Sequence, residues 1–155
     1  MVSPELLRRY PFFRDLNEDQ LKTIAMISEE VKVPAGVELF AEGQPADYFY
    51  LLIDGAVDLS FDTQEEFHPE TKKSFPVGEI NQGEVFGLSA VLSPYVYTAT
   101  ECTSQPSKVL KIDAAGLREM MVNDSRAGFV FMNQVCRALM ERLTYTRVQL
   151  AAAWS

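Results

Sequence analysis

Residues 39–55 read LFAEGQPADYFYLLIDG, and this stretch decides the fold of the chain. An apolar strand ends at a turn marked by Gly43 and Pro45, and a buried strand then runs to a second turn at Gly55. Two short strands joined in this way form one corner of a β-barrel. We therefore expect the remaining elements to be arranged around a barrel-like core of short strands.

A second informative stretch follows some thirty residues later. Residues 86–92 read FGLSAVL, an apolar turn of helix that begins at a glycine, and residues 97–100 have the pattern of a strand. Gly87 allows backbone N–H groups to face outward at the start of the helix, which is a favourable position for an anion. The second stretch therefore predicts a ligand-binding turn on the barrel.

Together the two stretches resemble the cyclic nucleotide-binding domain family. In that family a β-roll of about eight strands carries a phosphate-binding cassette, which is a short helix followed by a strand with a phosphate-binding arginine. The first stretch keeps the family spacing at Gly43, Ala46 and Gly55, around four apolar residues at 49–52. The resemblance implies a mainly β fold, a double-stranded β-helix of the β-roll or jelly-roll type, with N-terminal helices and a long C-terminal helix.

The cassette itself is kept only in part. The matching positions are Phe86, Gly87, Ala90, Val91, Thr98 and Ala99. Leu88 stands where the family carries the glutamate that holds the ribose hydroxyl, and Tyr97 stands where it carries the phosphate-binding arginine. The resemblance therefore implies the family fold without the two charged partners of a cyclic nucleotide.

The candidate ligand site consists of the cassette helix and the strand after it. Its residues are Phe86, Gly87, Leu88, Ser89, Ala90, Val91, Tyr97, Thr98, Ala99 and Thr100. Backbone N–H groups and three hydroxyls still offer a weak anion site. A hydrogen bond to a charged group contributes about 1.5–3 kcal/mol, so losing two of them weakens cyclic-nucleotide binding by at least about a hundredfold.

Three functional interpretations remain open at this point. The chain is a regulatory sensor for a small ligand other than cAMP or cGMP, apolar with one polar or acidic end. Alternatively, its pocket is closed by its own side chains and it serves as a dimerisation or docking module. In the third interpretation it binds a cyclic nucleotide through backbone and hydroxyl contacts. Thr144 and Thr146 are candidates to cover a ligand from above, although solvated threonines are the simpler interpretation.

Composition restricts the other classes of function. The 155 residues suffice for one domain, and a net charge of −8 opposes direct binding to nucleic acid. Two cysteines without C-x-x-C spacing and the single histidine, His68, do not suggest a metal site or a cofactor. We expect reduced cysteines, a cytoplasmic location and no membrane span.

Catalysis is not expected either. The sequence has no G-x-S-x-G elbow, no Walker loop and no Cys–His pairing, so no catalytic residues are assigned. Glu84 and Glu101 flank the cassette, and we interpret them as exposed carboxylates of a strand or turn rather than as an acid/base pair. The chain is therefore predicted to be a regulatory protein and not an enzyme.

The chain divides into three parts of one domain, 1–155. Residues 1–27 are predicted to form N-terminal helices, with Ser3 and Asn17 as caps, and residues 28–112 to form the roll. The polar segment 62–73 is expected to be an exposed hairpin loop. Residues 113–155 are expected to form two helices, the first capped by Asp113 and the second by Asp124 or Ser125.

The last helix carries an apolar seam with 3-4 spacing. Its members are Phe129, Met132, Cys136, Leu139, Leu143, Thr146 and Leu150. A helix of about 26 residues, roughly 39 Å long, extends beyond a small barrel, so we expect a homodimer through this seam. The transcription-factor branch of the family pairs through this helix and continues into a helix-turn-helix, so the chain is either a stand-alone sensor or a fragment. In the alternative interpretation the seam covers the barrel of its own subunit.

Overall fold

The N-terminal segment contains two short helices and a 3-10 turn. The computed structural model describes residues 1–65 and 68–155, and the side chains of 1–61 and 75–155. Helix α1 spans Pro4–Arg8, the 3-10 turn spans Pro11–Phe13 and helix α2 spans Glu18–Met26. The Asn17 side chain accepts a hydrogen bond from Gln20 N, and Gln20 Oε1 accepts one from Asn17 N, both at 2.9 Å. The predicted capping box therefore forms.

The described part of the chain forms eight antiparallel strands in two four-stranded sheets. One sheet has the order β1-β8-β3-β6 and the other has the order β2-β7-β4-β5. This arrangement confirms the predicted roll with flanking helices. The strands are β1 Ser28–Val33, β2 Glu38–Phe40, β3 Tyr48–Asp54, β4 Val57–Glu65, β5 His68–Ile80, β6 Val85–Phe86, β7 Thr100–Thr103 and β8 Ser107–Asp113.

Strand β3 lies at the centre of the core, as its apolar sequence predicts. Phe49, Leu51 and Leu52 are fully buried, and Leu51 lies opposite Leu110 of β8. The strand ends at Gly55, whose φ is +103° and where a Cβ would lie 2.7 Å from the Cα of Ser107. Glycine is required there because any side chain would both strain the backbone and collide with β8.

Two sequence-based predictions of secondary structure are wrong. Residues 62–65 and 68–73 belong to strands and not to a loop, because β4 continues to Glu65 and β5 begins at His68. Residues 66 and 67 lie outside the described part, as does the side chain of His68. The strand expected over residues 97–100 begins only at Thr100, because Tyr97 instead exchanges backbone hydrogen bonds with the turn at Gly43 and Gln44.

Two further expectations concern absences. No helix in the described residues is long and apolar enough to cross a membrane. Within the same residues, no group of three or more His, Cys, Asp or Glu side chains is placed to hold a metal ion.

The C-terminal helices pack on the roll through one face of the last helix. Helix α3 spans Ala114–Asn123, and helix α4 spans the 29 residues Ser125–Ala153, roughly 44 Å. The Asp113 and Asp124 side chains cap them by accepting from Gly116 N at 2.8 Å and Ala127 N at 3.0 Å. The Phe131 ring packs against the rings of Phe12 and Phe49, with centroids 5.2 Å apart in each pair.

The predicted seam occupies a different face of α4. Phe129, Cys136, Leu139, Leu143, Thr146 and Leu150 are exposed, and Met132 is half-buried. The helix is instead held to its own roll by other residues, among them Ala127, Phe131 and Val135. The interpretation in which the seam covers its own subunit is therefore wrong, and the homodimer through the seam stays a prediction.

Candidate ligand site

The cassette begins at Gly87, where the backbone conformation and the close neighbours leave no room for a side chain. Gly87 has φ +67°, and a Cβ there would lie 3.1 Å from the Tyr50 ring and 3.2 Å from the Tyr48 carbonyl oxygen. The following residues, Leu88–Val91, form a single turn of 3-10 helix. The close approach of this turn to β3 places the cassette directly on the core of the roll.

Tyr97, at the position where the resemblance expects arginine, is part of the core. Its side chain is 5% exposed, and its ring stacks on Phe40 with centroids 3.7 Å apart. Its hydroxyl donates to the Tyr48 carbonyl at 2.6 Å and accepts from the Tyr48 N–H at 3.2 Å. Burial raises the pKa of Tyr97 to about 12, so the side chain is a neutral phenol at physiological pH.

Tyr97 belongs to an aromatic cluster formed by Phe40, Tyr50, Phe86 and Tyr97. Tyr50 stacks on Phe86 with centroids 4.9 Å apart and on Phe40 at 5.7 Å. All four residues are buried. The aromatic cluster therefore fills the interior of the roll beside the cassette with the protein's own side chains.

The ten predicted site residues are brought together, but mainly as packing groups. Leu88, Ala90 and Val91 are buried apolar residues of the 3-10 turn. The Thr100 hydroxyl accepts a hydrogen bond from Glu42 N at 3.0 Å, while Thr98 is exposed. None of the ten residues lines the cavity described below, and their role in ligand binding stays a prediction.

An arginine that the sequence did not single out fastens the cassette to α3. Arg118 donates from Nε to the Ala90 carbonyl at 2.8 Å and from Nη2 to the Ala46 carbonyl at 2.9 Å. Its guanidinium also lies over the Tyr95 ring, 3.9 Å from the centroid. No local signal marks this role, because an arginine on a helix surface is ordinary until its long-range partners are known.

A cavity of about 690 Å³ lies between the roll and α4. Apolar side chains of the roll line one wall, including Leu59, Val77, Ile80 and Val85. Gln134 of α4 also lines the cavity, and its Nε2 donates to the carbonyls of Pro11 and Phe12, each at 3.1 Å. The volume falls within the range of small-molecule sites, about 300–1,000 Å³. Charged residues also line this cavity: Arg14, Arg137, Arg142, Glu79, Glu84 and Glu141.

Arg142, which is half-buried in the cavity wall, interacts electrostatically with the buried carboxyl of Glu101. Arg142 donates from Nη2 to the carbonyl of Val85, the residue immediately before the cassette. Burial lowers the pKa of its guanidinium, and the attraction of Glu101 opposes this effect. The expectation that Glu101 is exposed is wrong: it is 2% exposed, and its Oε2 has no hydrogen-bond partner in the described part of the chain.

The buried carboxyl of Glu101 resists ionisation. Burial raises its pKa to about 8, although the nearby Arg142 favours the charged form. Glu101 is therefore mostly protonated at neutral pH. No sequence pattern predicts this burial, because the strand that contains Thr100 and Glu101 is too short for its alternation to show which face is buried.

Comparison with known proteins identifies the same family from the sequence. A family model described as "Cyclic nucleotide-binding domain" matches residues 30–124. The regulatory subunit of cAMP-dependent protein kinase of Aspergillus niger is 29% identical over 115 residues, which is 74% of this chain and 26% of that protein. The CRP-like cAMP-activated global transcriptional regulator of Mycobacterium tuberculosis is 23% identical over 147 residues, which is 95% of this chain and 61% of that protein. The chain thus spans about a quarter of the length of the kinase subunit.

Solved structures share the fold over nearly the whole chain. A Geobacter metallireducens protein provisionally named a cyclic nucleotide-binding protein is 39% identical, with a TM-score of 0.80 over 92% of this chain and 99% of that one. The sensor domain of the transcriptional regulator DNR from Pseudomonas aeruginosa is 20% identical, with a TM-score of 0.70 over 90% of each chain. At that identity the second comparison shows the fold alone.

Proposed function

Since the chain belongs to the cyclic nucleotide-binding domain family, we propose that it is a regulatory sensor module that does not bind cAMP or cGMP with the affinity of a complete cassette. The observation that carries the proposal is the position of Tyr97, stacked at 3.7 Å on Phe40 where a phosphate-binding arginine is expected. A phosphate placed there would meet a neutral phenol whose hydroxyl is already bonded to Tyr48. The cavity under α4 is the proposed site for a different small ligand.

The loss of affinity has two physical causes. Leu88 and Tyr97 remove two hydrogen bonds to charged groups, each contributing about 1.5–3 kcal/mol. The nucleotide would also have to displace the stacked Tyr97 ring from the aromatic cluster. A regulatory role without catalysis fits the matched relatives, which include kinase regulatory subunits and a transcriptional regulator.

Calorimetry with cAMP and cGMP tests this proposal. We expect the protein to bind both nucleotides at least about a hundredfold more weakly than the double variant Leu88→Glu Tyr97→Arg, which restores the two residues of the family pattern. The variant opens the space occupied by the tyrosine ring and adds the missing charge. Equal affinity of the two proteins, with tight binding to the unmodified chain, would refute the proposal.

A homodimer through α4 is the second part of the proposal. The exposed seam supports it, because six of its seven side chains are exposed to solvent at coiled-coil spacing. A cytoplasmic location and the absence of direct nucleic-acid binding also belong to the proposal, and the net charge of −8 supports the second.

Leu143→Glu is expected to convert a dimer to a monomer, because two seam glutamates would face each other across the interface. Val148→Glu is the matched control, since Val148 is an exposed apolar residue of the same helix that lies off the seam. Light scattering coupled to gel filtration measures the mass of each protein. The dimer proposal fails if the unmodified chain is monomeric, or if both substitutions dissociate it equally.

A further inference from the structure

Arg142 is a half-buried cation of the cavity wall whose charge has no close carboxylate among the described residues. Its one hydrogen bond in the described residues goes to the neutral Val85 carbonyl. None of the described carboxylates lies within 4.0 Å of its guanidinium to form an ion pair. Removing part of a charged side chain from water is costly unless a counter-ion or hydrogen bonds compensate. The missing counter-ion is the first indication of a bound anion.

The nearest buried acid does not supply that counter-ion at neutral pH. Glu101 interacts electrostatically with Arg142, and Tyr50 and Tyr97 are the other titratable groups that face it. Its Oε2 makes no hydrogen bond within the described part of the molecule. Burial keeps the Glu101 carboxyl mostly protonated, because its pKa is about 8. Arg142 therefore has no ion-pair partner among the described carboxylates, and Glu101 does not supply a negative charge to it at neutral pH.

Two more arginines line the same cavity, one from the N-terminal segment and one from α4. Neither Arg14 nor Arg137 forms an ion pair within 4.0 Å with a described carboxylate. The described glutamates that line the cavity do not form ion pairs with these arginines. Glu79 and Glu141 are exposed and screened by solvent, and Glu84 Oε1 accepts a hydrogen bond from Asn81 N at 3.2 Å. Of these acids, Glu84 and Glu141 interact with Arg142 at longer range.

We propose that the cavity under α4 binds a small amphipathic anion, a carboxylate, sulfonate or phosphate with an apolar body, whose charged group is held by Arg142 and Arg137. The body would lie on the apolar wall that includes Leu59, Ile80 and Val85. This inference rests on the proposed sensor function and names the class of its ligand. In this proposal the cations that bind the ligand lie on α4, and not on the strand that follows the cassette. The ligand would then contact the helix that is proposed to dimerise.

Fluorescence titration with 8-anilinonaphthalene-1-sulfonate and its uncharged parent N-phenyl-1-naphthylamine tests the charge requirement. The two probes share an apolar body and differ in the sulfonate. We expect Arg142→Gln to weaken binding of the sulfonate by roughly tenfold to a hundredfold and to leave the uncharged probe unchanged. Arg126→Gln is the control, because Arg126 is an exposed arginine of the same helix that does not line the cavity.

Titration at several pH values adds a readout that nonspecific adsorption would not produce. Glu101 ionises as the pH rises through about 8 and then competes with the probe for Arg142. The affinity for the sulfonate should therefore fall several-fold above pH 8, and Glu101→Gln should abolish the fall. If Arg142→Gln does not fold, two other measurements test the same charge requirement. Arg137→Gln, at an exposed position, should weaken binding of the sulfonate probe, and the unmodified protein should show the pH dependence.

The anion proposal would be overturned if the two probes bound equally well. It would also be overturned if Arg126→Gln, and not Arg142→Gln, abolished binding of the sulfonate probe. Binding of the uncharged probe in the cavity would then still be compatible with a sensor. The cyclic-nucleotide calorimetry depends on Leu88 and Tyr97 rather than on the arginines. The two proposals can therefore fail separately.

Discussion

Replacing Glu101 by glutamine is expected to raise the free energy of unfolding at pH 7 by about 3 kcal/mol. The carboxyl has a pKa of about 8 in the folded protein against 4.5 for an ordinary glutamate. At pH 7 the Glu101 carboxyl is ionised in the unfolded chain and protonated in the folded protein. Each pH unit between 4.5 and 7 therefore lowers the free energy of unfolding by about 1.4 kcal/mol. Glutamine has nearly the same shape and does not ionise, so it removes this cost.

Because the pKa of Glu101 is raised by folding, the stability of the protein should depend on pH in a characteristic way. The folded protein binds the Glu101 proton more tightly than the unfolded chain, so the contribution to stability is fully present below pH 4.5 and is lost as the pH rises through 8. Urea denaturation from pH 5 to pH 9 should show this decline in the unmodified protein and not in Glu101→Gln. Glu38→Gln, at an exposed position of β2 next to β7, is the control and should keep the decline. A flat profile in the unmodified protein, or a less stable variant at pH 7, would contradict the assignment of a buried neutral carboxyl.

Tyr97→Ala is expected to lower the free energy of unfolding by about 3–5 kcal/mol, the range for truncating a large aromatic core residue. It removes the stack on Phe40 and both hydrogen bonds to the Tyr48 backbone. Tyr97→Phe keeps the ring and removes only the hydroxyl, so about 1 kcal/mol is expected. Urea denaturation of both variants separates ring packing from hydrogen bonding.

The outcome bears directly on the closed interior of the roll. A tyrosine that merely occupied an empty ligand pocket would be dispensable, and Tyr97→Ala would then be nearly neutral. In that case the aromatic cluster would not stabilise the roll, and a nucleotide could displace Tyr97 at little cost.

Features encoded by local sequence were the ones that the sequence predicted well. The capping box at Asn17 depends on residues three positions apart, and the turn at Gly55 uses a positive φ that glycine adopts readily. The buried strand β3 follows from its continuous apolar run. The loop predicted over 62–73 was wrong because its polar sequence lacks the alternation that marks a strand with one buried face.

The sequence could single out only those candidate site residues that lie in one continuous stretch. The cassette and its substitutions at Leu88 and Tyr97 are local, and they were recognised. Arg142 reaches Val85 across 57 positions, and Arg118 reaches Ala46 across 72. No spacing rule connects positions so far apart. Charged side chains on helices are usually solvated, so the sequence alone does not single out Arg142.

A crystal structure of the protein grown with saturating cAMP tests the central claim most directly, because it shows which group occupies the interior of the roll. We predict that the Tyr97 ring stays stacked on Phe40 and that no nucleotide phosphate lies against the turn at Leu88–Val91. A phosphate bound to the backbone of that turn, with the Tyr97 side chain displaced from Phe40, would contradict the account.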